Sequence, residues 1–328
     1  MSPPGGGNIL ASRTEIYPKI DAYDYGQLDV GDGHKVYWEQ CGNPKGRPVV
    51  VLHGGPGSGC TEGMRRLFDP DAYRIILFDQ RGCGRSTPHA GETLQALEHN
   101  TTQHLIGDME RLRKHLKVHK WMVFGVSWGC TLGLAYAQQN AKRVSHMVVQ
   151  SVTTTTPAEI NWLYKGAATR RPGEWKQFCK GVVDPSGDLV EAYYHLLQHP
   201  VPAVCLSSAK RWFEWEWCLT TSNPEALPEP RRLTSHFQLC WARLITHYFF
   251  HNAWLEDGQL LANIGRLRKI PCTMIHGADD LSAPVHTAEA LAAAWPKAKL
   301  VIVDGAGHLG SDTGMVDAVI AATDSFSS

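Results

Sequence analysis

The chain lacks most of the features that would tie it to a membrane, a nucleic acid or a metal. No run of like charge occurs anywhere along its 328 residues, and 32 basic side chains balance 32 acidic ones. That balance argues against a nucleic-acid partner or a membrane surface. No apolar run approaches the ~18 residues that a spanning helix needs. Residues 1–12, with Pro3, Pro4 and three glycines, lack a basic segment followed by an apolar one. They read as part of a flexible tail over residues 1–16, not as a signal peptide. The nine cysteines are scattered, odd in number and without a Cys-x-x-Cys pair. They are expected as free thiols in a reducing cytoplasm, not as ligands of structural zinc. Histidine spacing suggests no metal site, no cofactor motif stands out and no internal repeat is evident.

What the chain has is a large supply of apolar residues, 43% of the total. From about residue 25 to 152, short apolar runs alternate with helical stretches, as a mostly parallel sheet with crossover helices requires. Strands are expected at 35–39, 49–52, 74–78, 121–124 and 146–150, and again at 272–275 and 300–303. Between 153 and 265 no buried strand is convincing. That stretch is rich in Trp and Tyr, with helices expected at 189–199, 207–217 and 235–254. The expected organisation is therefore a core built from 17–152 and 266–328, with a helical cap at 153–265. The fold class is α/β, a mostly parallel sheet with helices on both faces.

The chemistry centres on Gly125-Val126-Ser127-Trp128-Gly129. An apolar, strand-like run enters this Gly-x-Ser-x-Gly pattern, and a run of small and apolar residues leaves it as a helix. Strand before and helix after mark a nucleophile elbow, where tight glycines let a strained serine project its hydroxyl. Upstream, the β-branched run 48–52 enters His53-Gly54-Gly55-Pro56-Gly57-Ser58-Gly59. This loop lacks the Gly-Lys-Ser/Thr ending and the Gly-x-Gly-x-x-Gly spacing of a phosphate cradle. It suits an oxyanion hole instead, Gly55 supplying one backbone N–H and Trp128, after the nucleophile, the other. Downstream, a strand at 272–275 leads to Asp279 and Asp280, and the strand at 300–303 leads to His308. The order serine, acid, histidine is that of an α/β-hydrolase triad. Spacing does not separate Asp279 from Asp280. Asp304 ends a strand as a turn residue, His53 braces the glycine loop, and His276 is structural.

Several segments, taken together, resemble the proline iminopeptidase family of α/β-hydrolases. They are His53–Gly57, Phe78-Asp79-Gln80-Arg81-Gly82-Cys83-Gly84-Arg85-Ser86, Gly125–Gly129, Asn100–Thr102, Asp108–Arg113 and Gly305-Ala306-Gly307-His308. The resemblance runs from about Tyr17 to the C-terminus and implies a serine peptidase that releases an N-terminal residue. It places the triad acid at Asp280, and the Asp79–Ser86 motif in a buried turn beside the site. It also implies a carboxylate gripping the substrate amine at Glu216, with Glu214 on the far side of its helix near Lys210. The chain departs from the family at Ile245, where a second glutamate is usual. Trp241, Ile245, Tyr248 and Phe249 form an apolar stripe, and Ile245 and Phe249 are expected to border the substrate. Thr153 falls where the family tends to carry an aromatic pocket residue, Val126 where it has glycine, and Ala278 where a charged residue is common. The expected substrate is a small peptide, amide or ester, cleaved through an acyl-enzyme. An esterase, thioesterase or acyltransferase on a non-peptide metabolite is the alternative. An idle binding module is disfavoured by the intact Ser127, Asp280 and His308.

Overall fold

The computed structural model describes residues 16–221 and 226–327. Of the tail expected over residues 1–16, all but Ile16 lies outside the described residues. Eight strands form one sheet: β1 (Ala22–Gly31), β2 (His34–Gly42), β3 (Arg47–Leu52), β4 (Tyr73–Phe78), β5 (Trp121–Val126), β6 (Val144–Gln150), β7 (Cys272–Gly277) and β8 (Ala298–Val303). Their spatial order is β1-β2-β4-β3-β5-β6-β7-β8. The β1–β2 and β2–β4 pairs are antiparallel, and every pair from β4 to β8 is parallel. Strand β1 has no counterpart in the expected set. Its residues are mostly exposed on an edge, so it lacks the apolar run that marks the central strands.

The central strands feed two apolar layers by simple alternation. Val50, Leu52, Ile76, Phe78, Val123, Met147 and Val149 enter one cluster. Their neighbours Val49, Val51, Ile75, Leu77, Met122, Phe124 and Val148 enter another on the opposite face. A strand buried on both faces is therefore continuously hydrophobic, as in Pro48–Leu52.

Helices cover both faces. They are α1 (Glu62–Arg65), α2 (Thr102–His115), α3 (Trp128–Gln139), α4 (Pro157–Tyr164), α5 (Pro172–Phe178), α6 (Leu189–Leu196), α7 (Pro202–Thr220), α8 (Ser235–Phe250), α9 (Gln259–Ala262), α10 (His286–Ala294) and α11 (Met315–Asp324). Helices α2, α3 and α10 pack on the first layer, and α11 packs on the second. Between β6 and β7 the chain contains no strand among its described residues. Helices α4 to α8 there share a separate cluster that includes Tyr164, Phe178, Tyr193, Trp212, Trp215, Trp241 and Ile245. The returning residues Ala253, Leu260, Ile264 and Leu267 already pack in the main core. No described helix is long and apolar enough to cross a membrane, and all nine cysteines are unpaired.

Candidate active site

Strand β5 and helix α3 meet at Ser127, whose backbone adopts φ 55° and ψ −121°. Positive φ at a non-glycine residue is strained and persists only when its surroundings enforce it. The flanking glycines allow that enforcement. A Cβ on Gly129 would stand 2.1 Å from the Leu52 carbonyl oxygen, and one on Gly125 would stand 2.4 Å from that of Gly129. Strand β3, the turn and the start of α3 thus touch backbone to backbone. The turn delivers the Ser127 hydroxyl to the rim of a cavity of about 510 Å³.

Three side chains from three separate loops converge there. Ser127 Oγ lies 2.9 Å from His308 Nε2, and His308 Nδ1 lies 2.7 Å from Asp280 Oδ2. Asp280 Oδ1 accepts the backbone N–H groups of Ser282 and Ala283, each at 2.8 Å. Its side chain is wholly buried, whereas the adjacent Asp279 is exposed. Burial lowers the proton affinity of His308, but the Asp280 carboxylate outweighs it. With Glu216 and Asp312 adding to that attraction, the net pKa of His308 rises above its ordinary value. Backbone bonds fix the histidine as well: its N–H reaches Thr220 O at 3.2 Å, and its carbonyl accepts Ser151 Oγ at 2.7 Å. His276 sits behind Asp280, accepting the Val152 N–H at 3.0 Å and donating to Ala283 O at 2.6 Å. Burial lowers its pKa, so it packs there as a neutral prop. Asp304 is exposed in the turn after β8, away from these contacts.

The glycine loop is tied to the elbow through one residue, Gln80. His53 donates from Nδ1 to Gly54 O at 2.9 Å and accepts the Gln80 N–H at 3.1 Å. The Gln80 amide donates to His53 O at 3.0 Å and accepts the Trp128 indole N–H at 2.9 Å. Asp79 organises the rest of this turn, accepting from Cys60 N at 2.7 Å and from Arg85 N at 2.9 Å. Gly54 is packed close, since a Cβ there would lie 3.3 Å from Ser127 Cβ. Gly55, at φ 110°, and Trp128 both line the cavity with Ser127. As the first residue of α3, Trp128 carries one of the N–H groups that no helical carbonyl can satisfy.

Above the serine, Glu216 projects from α7 into an aromatic cage. Its Oε1 accepts from the Tyr164 hydroxyl and from Trp212 Nε1 at 3.0 Å, and its Oε2 accepts from Trp241 Nε1 at 2.7 Å. Burial pushes its pKa up to about 7, against the pull of those three donors and of His308. Among the described residues no cation lies within ion-pairing distance of it. Glu214 faces outward, 3.7 Å from Lys210.

Phe249 and Thr153 line the cavity with Glu216. Ile245 does not, which corrects the expectation that it contacts substrate. It is only 1% exposed and belongs to the same cluster as Tyr164, Trp212 and Trp241. Trp241 and Phe249, one turn to either side on α8, carry the larger rings that form the wall. A residue not foreseen is Glu159. Its carboxylate gathers the hydroxyls of Thr153, Thr154, Thr156 and Thr287 at 2.7 to 3.2 Å. It fixes the threonine loop that forms one side of the cavity, and Thr156 and Glu159 also make a capping box for α4. The signal was present as Thr-x-x-Glu ahead of an apolar run.

Comparison with known proteins places this architecture. The family model for the α/β hydrolase fold matches residues 47–314. A proline iminopeptidase of Xylella fastidiosa (strain 9a5c) is 42% identical over 315 residues, covering 95% of this chain and 99% of that protein. A probable proline iminopeptidase of Streptomyces coelicolor is 43% identical over 317 residues, covering 95% and 97%. Among solved structures, a proline iminopeptidase of Mycobacterium smegmatis superposes with a TM-score of 0.60 at 18% identity, covering 93% of this chain and 95% of that one. That likeness speaks for the fold, whereas identity over nearly full length speaks for the family. The chain belongs to the proline iminopeptidase family of α/β-hydrolases.

Proposed function

We propose that the protein is a serine aminopeptidase that removes the N-terminal residue of short peptides, proline among them. The observation that carries this reading is the Ser127–His308–Asp280 relay opening into a cavity whose wall holds Glu216. His308 Nε2 takes the Ser127 proton as Oγ attacks the scissile carbonyl, and the charge on the carbonyl oxygen falls to the N–H groups of Trp128 and Gly55. The imidazolium, steadied by Asp280, then protonates the departing amine. Water, deprotonated by the same histidine, releases the acyl group and restores Ser127. Glu216, ionised, receives the substrate ammonium, while Thr153 and Phe249 shape the acyl pocket. On this reading residues 153–265 act as a cap that selects the substrate over a hydrolase core.

The test is turnover of prolyl anilide together with labelling by a fluorophosphonate, on the wild type and on Ser127→Ala. The wild type should do both and the folded variant neither. Full labelling of the variant would show that another serine is the nucleophile.

A second reading, an esterase or amidase for neutral acyl groups, is favoured by one observation. Burial pushes the Glu216 pKa up to about 7, so near neutral pH part of the protein presents a neutral carboxyl there, which has no preference for an ammonium. Faster cleavage of N-acetylprolyl than of prolyl anilide would select it.

A further inference from the structure

Arg232 lies in the short helical turn Pro230–Leu233, just before α8, and lines the same cavity as Ser127 and Glu216. Its neighbour Arg231 is already engaged. Arg231 bonds Glu229 at 3.1 Å and donates to Ser58 O at 3.0 Å, pinning the turn to the glycine loop. Arg232 has no such partner, for among the described residues no carboxylate approaches its guanidinium within ion-pair distance. Two ring faces lie close to it, its Cζ being 5.4 Å from the Trp241 ring and 6.0 Å from that of Phe237. Stacking holds a cation in place without neutralising it. Burial, and then Arg231, push its pKa below the ordinary arginine value, and the opposing attraction of Glu229 does not make up the difference.

Trp241 therefore carries opposite charges on two sides. Its ring nitrogen donates to Glu216, and Arg232 lies over its face. A half-buried guanidinium facing a cavity is a costly arrangement unless an anion arrives, and its planar fork matches a carboxylate. A dipeptide carries an ammonium at one end and a carboxylate at the other, roughly 7 Å apart when extended. That separation suits two charges placed around a single indole.

We propose that Arg232 binds the terminal carboxylate of the peptide substrate, so that the cavity reads both ends of a dipeptide. This rests on the aminopeptidase reading above. It assigns Glu216 to the ammonium and Arg232 to the carboxylate of the departing fragment.

The experiment compares kcat/KM for Pro-Gly, Pro-Gly amide and prolyl anilide on the wild type, Arg232→Gln, Arg232→Lys and Arg232→Met. The wild type should favour the free acid over the amide by at least roughly tenfold, the scale of a charge-assisted hydrogen bond. Arg232→Gln should bring the ratio near one, chiefly by raising KM for the acid. Arg232→Lys should keep part of it, as a point charge without the fork. Arg232→Met preserves the stem against Trp241 and serves if the glutamine variant fails to fold. A wild type that cleaves the anilide but treats acid and amide alike overturns the role of Arg232 alone. So does an acid-to-amide ratio unchanged in Arg232→Gln or Arg232→Met. A wild type that cleaves none of the three overturns the aminopeptidase reading and this inference with it.

Discussion

Replacing Glu216 by glutamine separates its two jobs, as a buried acid and as a receptor for ammonium. The folded pKa is raised from 4.5 to about 7, so the protonated form is preferred in the native state. Its contribution to stability is complete below pH 4.5 and lost as the pH rises through about 7. The gap corresponds to about 3 kcal/mol, an upper figure for a side chain that still borders the cavity. In Glu216→Gln the amide oxygen can accept from Tyr164 and Trp212, but the amide nitrogen then meets the Trp241 N–H. One donor loses its acceptor, at a cost of roughly 1–3 kcal/mol. At pH 5 the variant should be the less stable protein by about that amount. At pH 8, where the wild type carries the buried charge, the difference should vanish or reverse. Denaturant unfolding at the two pH values measures this. Activity gives an independent readout. Both the Glu216 carboxylate and neutral His308 must be deprotonated to act, so log kcat/KM for prolyl anilide should rise on the acid side with a slope approaching two. Removing Glu216 leaves one titration, and it lowers the raised pKa of His308 by removing a nearby negative charge. The acid limb should become single and move to lower pH, while KM for the free amine rises by about tenfold or more. An unchanged slope with an unchanged KM would refute the reasoning, because Glu216 would then face neither the substrate nor His308.

Three further outcomes follow from particular contacts. Asp280→Asn should lower kcat by on the order of 10⁴, whereas Asp279→Asn, on an exposed side chain, should have little effect; steady-state kinetics showing the larger loss at Asp279 would reverse the assignment. Gly129→Ala drives a Cβ to 2.1 Å from a backbone oxygen, so stability should fall by about 1–3 kcal/mol or more. Fluorophosphonate labelling should fall with it, and wild-type labelling would mean that the elbow tolerates displacement. Ile245→Glu puts a carboxylate into an apolar cluster and should destabilise by roughly 3 kcal/mol at pH 8 and less at pH 5, where it can protonate. Equal stability to wild type at pH 8, by chemical unfolding, would show that this position reaches the cavity.

The central strands and the elbow were legible in the sequence because their signals are local. A strand buried on both faces must be continuously apolar, as Pro48–Leu52 is, and a turn as tight as Gly125–Gly129 must exclude side chains. The edge strand β1 was not legible, since an exposed antiparallel strand such as Ala22–Gly31 need not differ from a polar loop. Within the site, motif order pointed to Ser127 and His308, but it could not divide two adjacent aspartates. Burial and three hydrogen-bond contacts single out Asp280 in the fold. The helical stripe on α8 comprised Trp241, Ile245, Tyr248 and Phe249, and placed Ile245 and Phe249 alike beside the substrate. Only the packing of α8 against α6 and α7 closed Ile245 into the cluster and left the two aromatic rings on the cavity wall. The capping signal of Glu159 was legible, but its place at the cavity and that of Arg232 were not, because one needs a loop of threonines folded around it and the other a tryptophan face brought beside it. Sequence determined the reaction centre, where tight backbone geometry restricts residue type position by position. Tertiary structure decided the recognition surface, where the same side chain is core or contact according to what packs beside it.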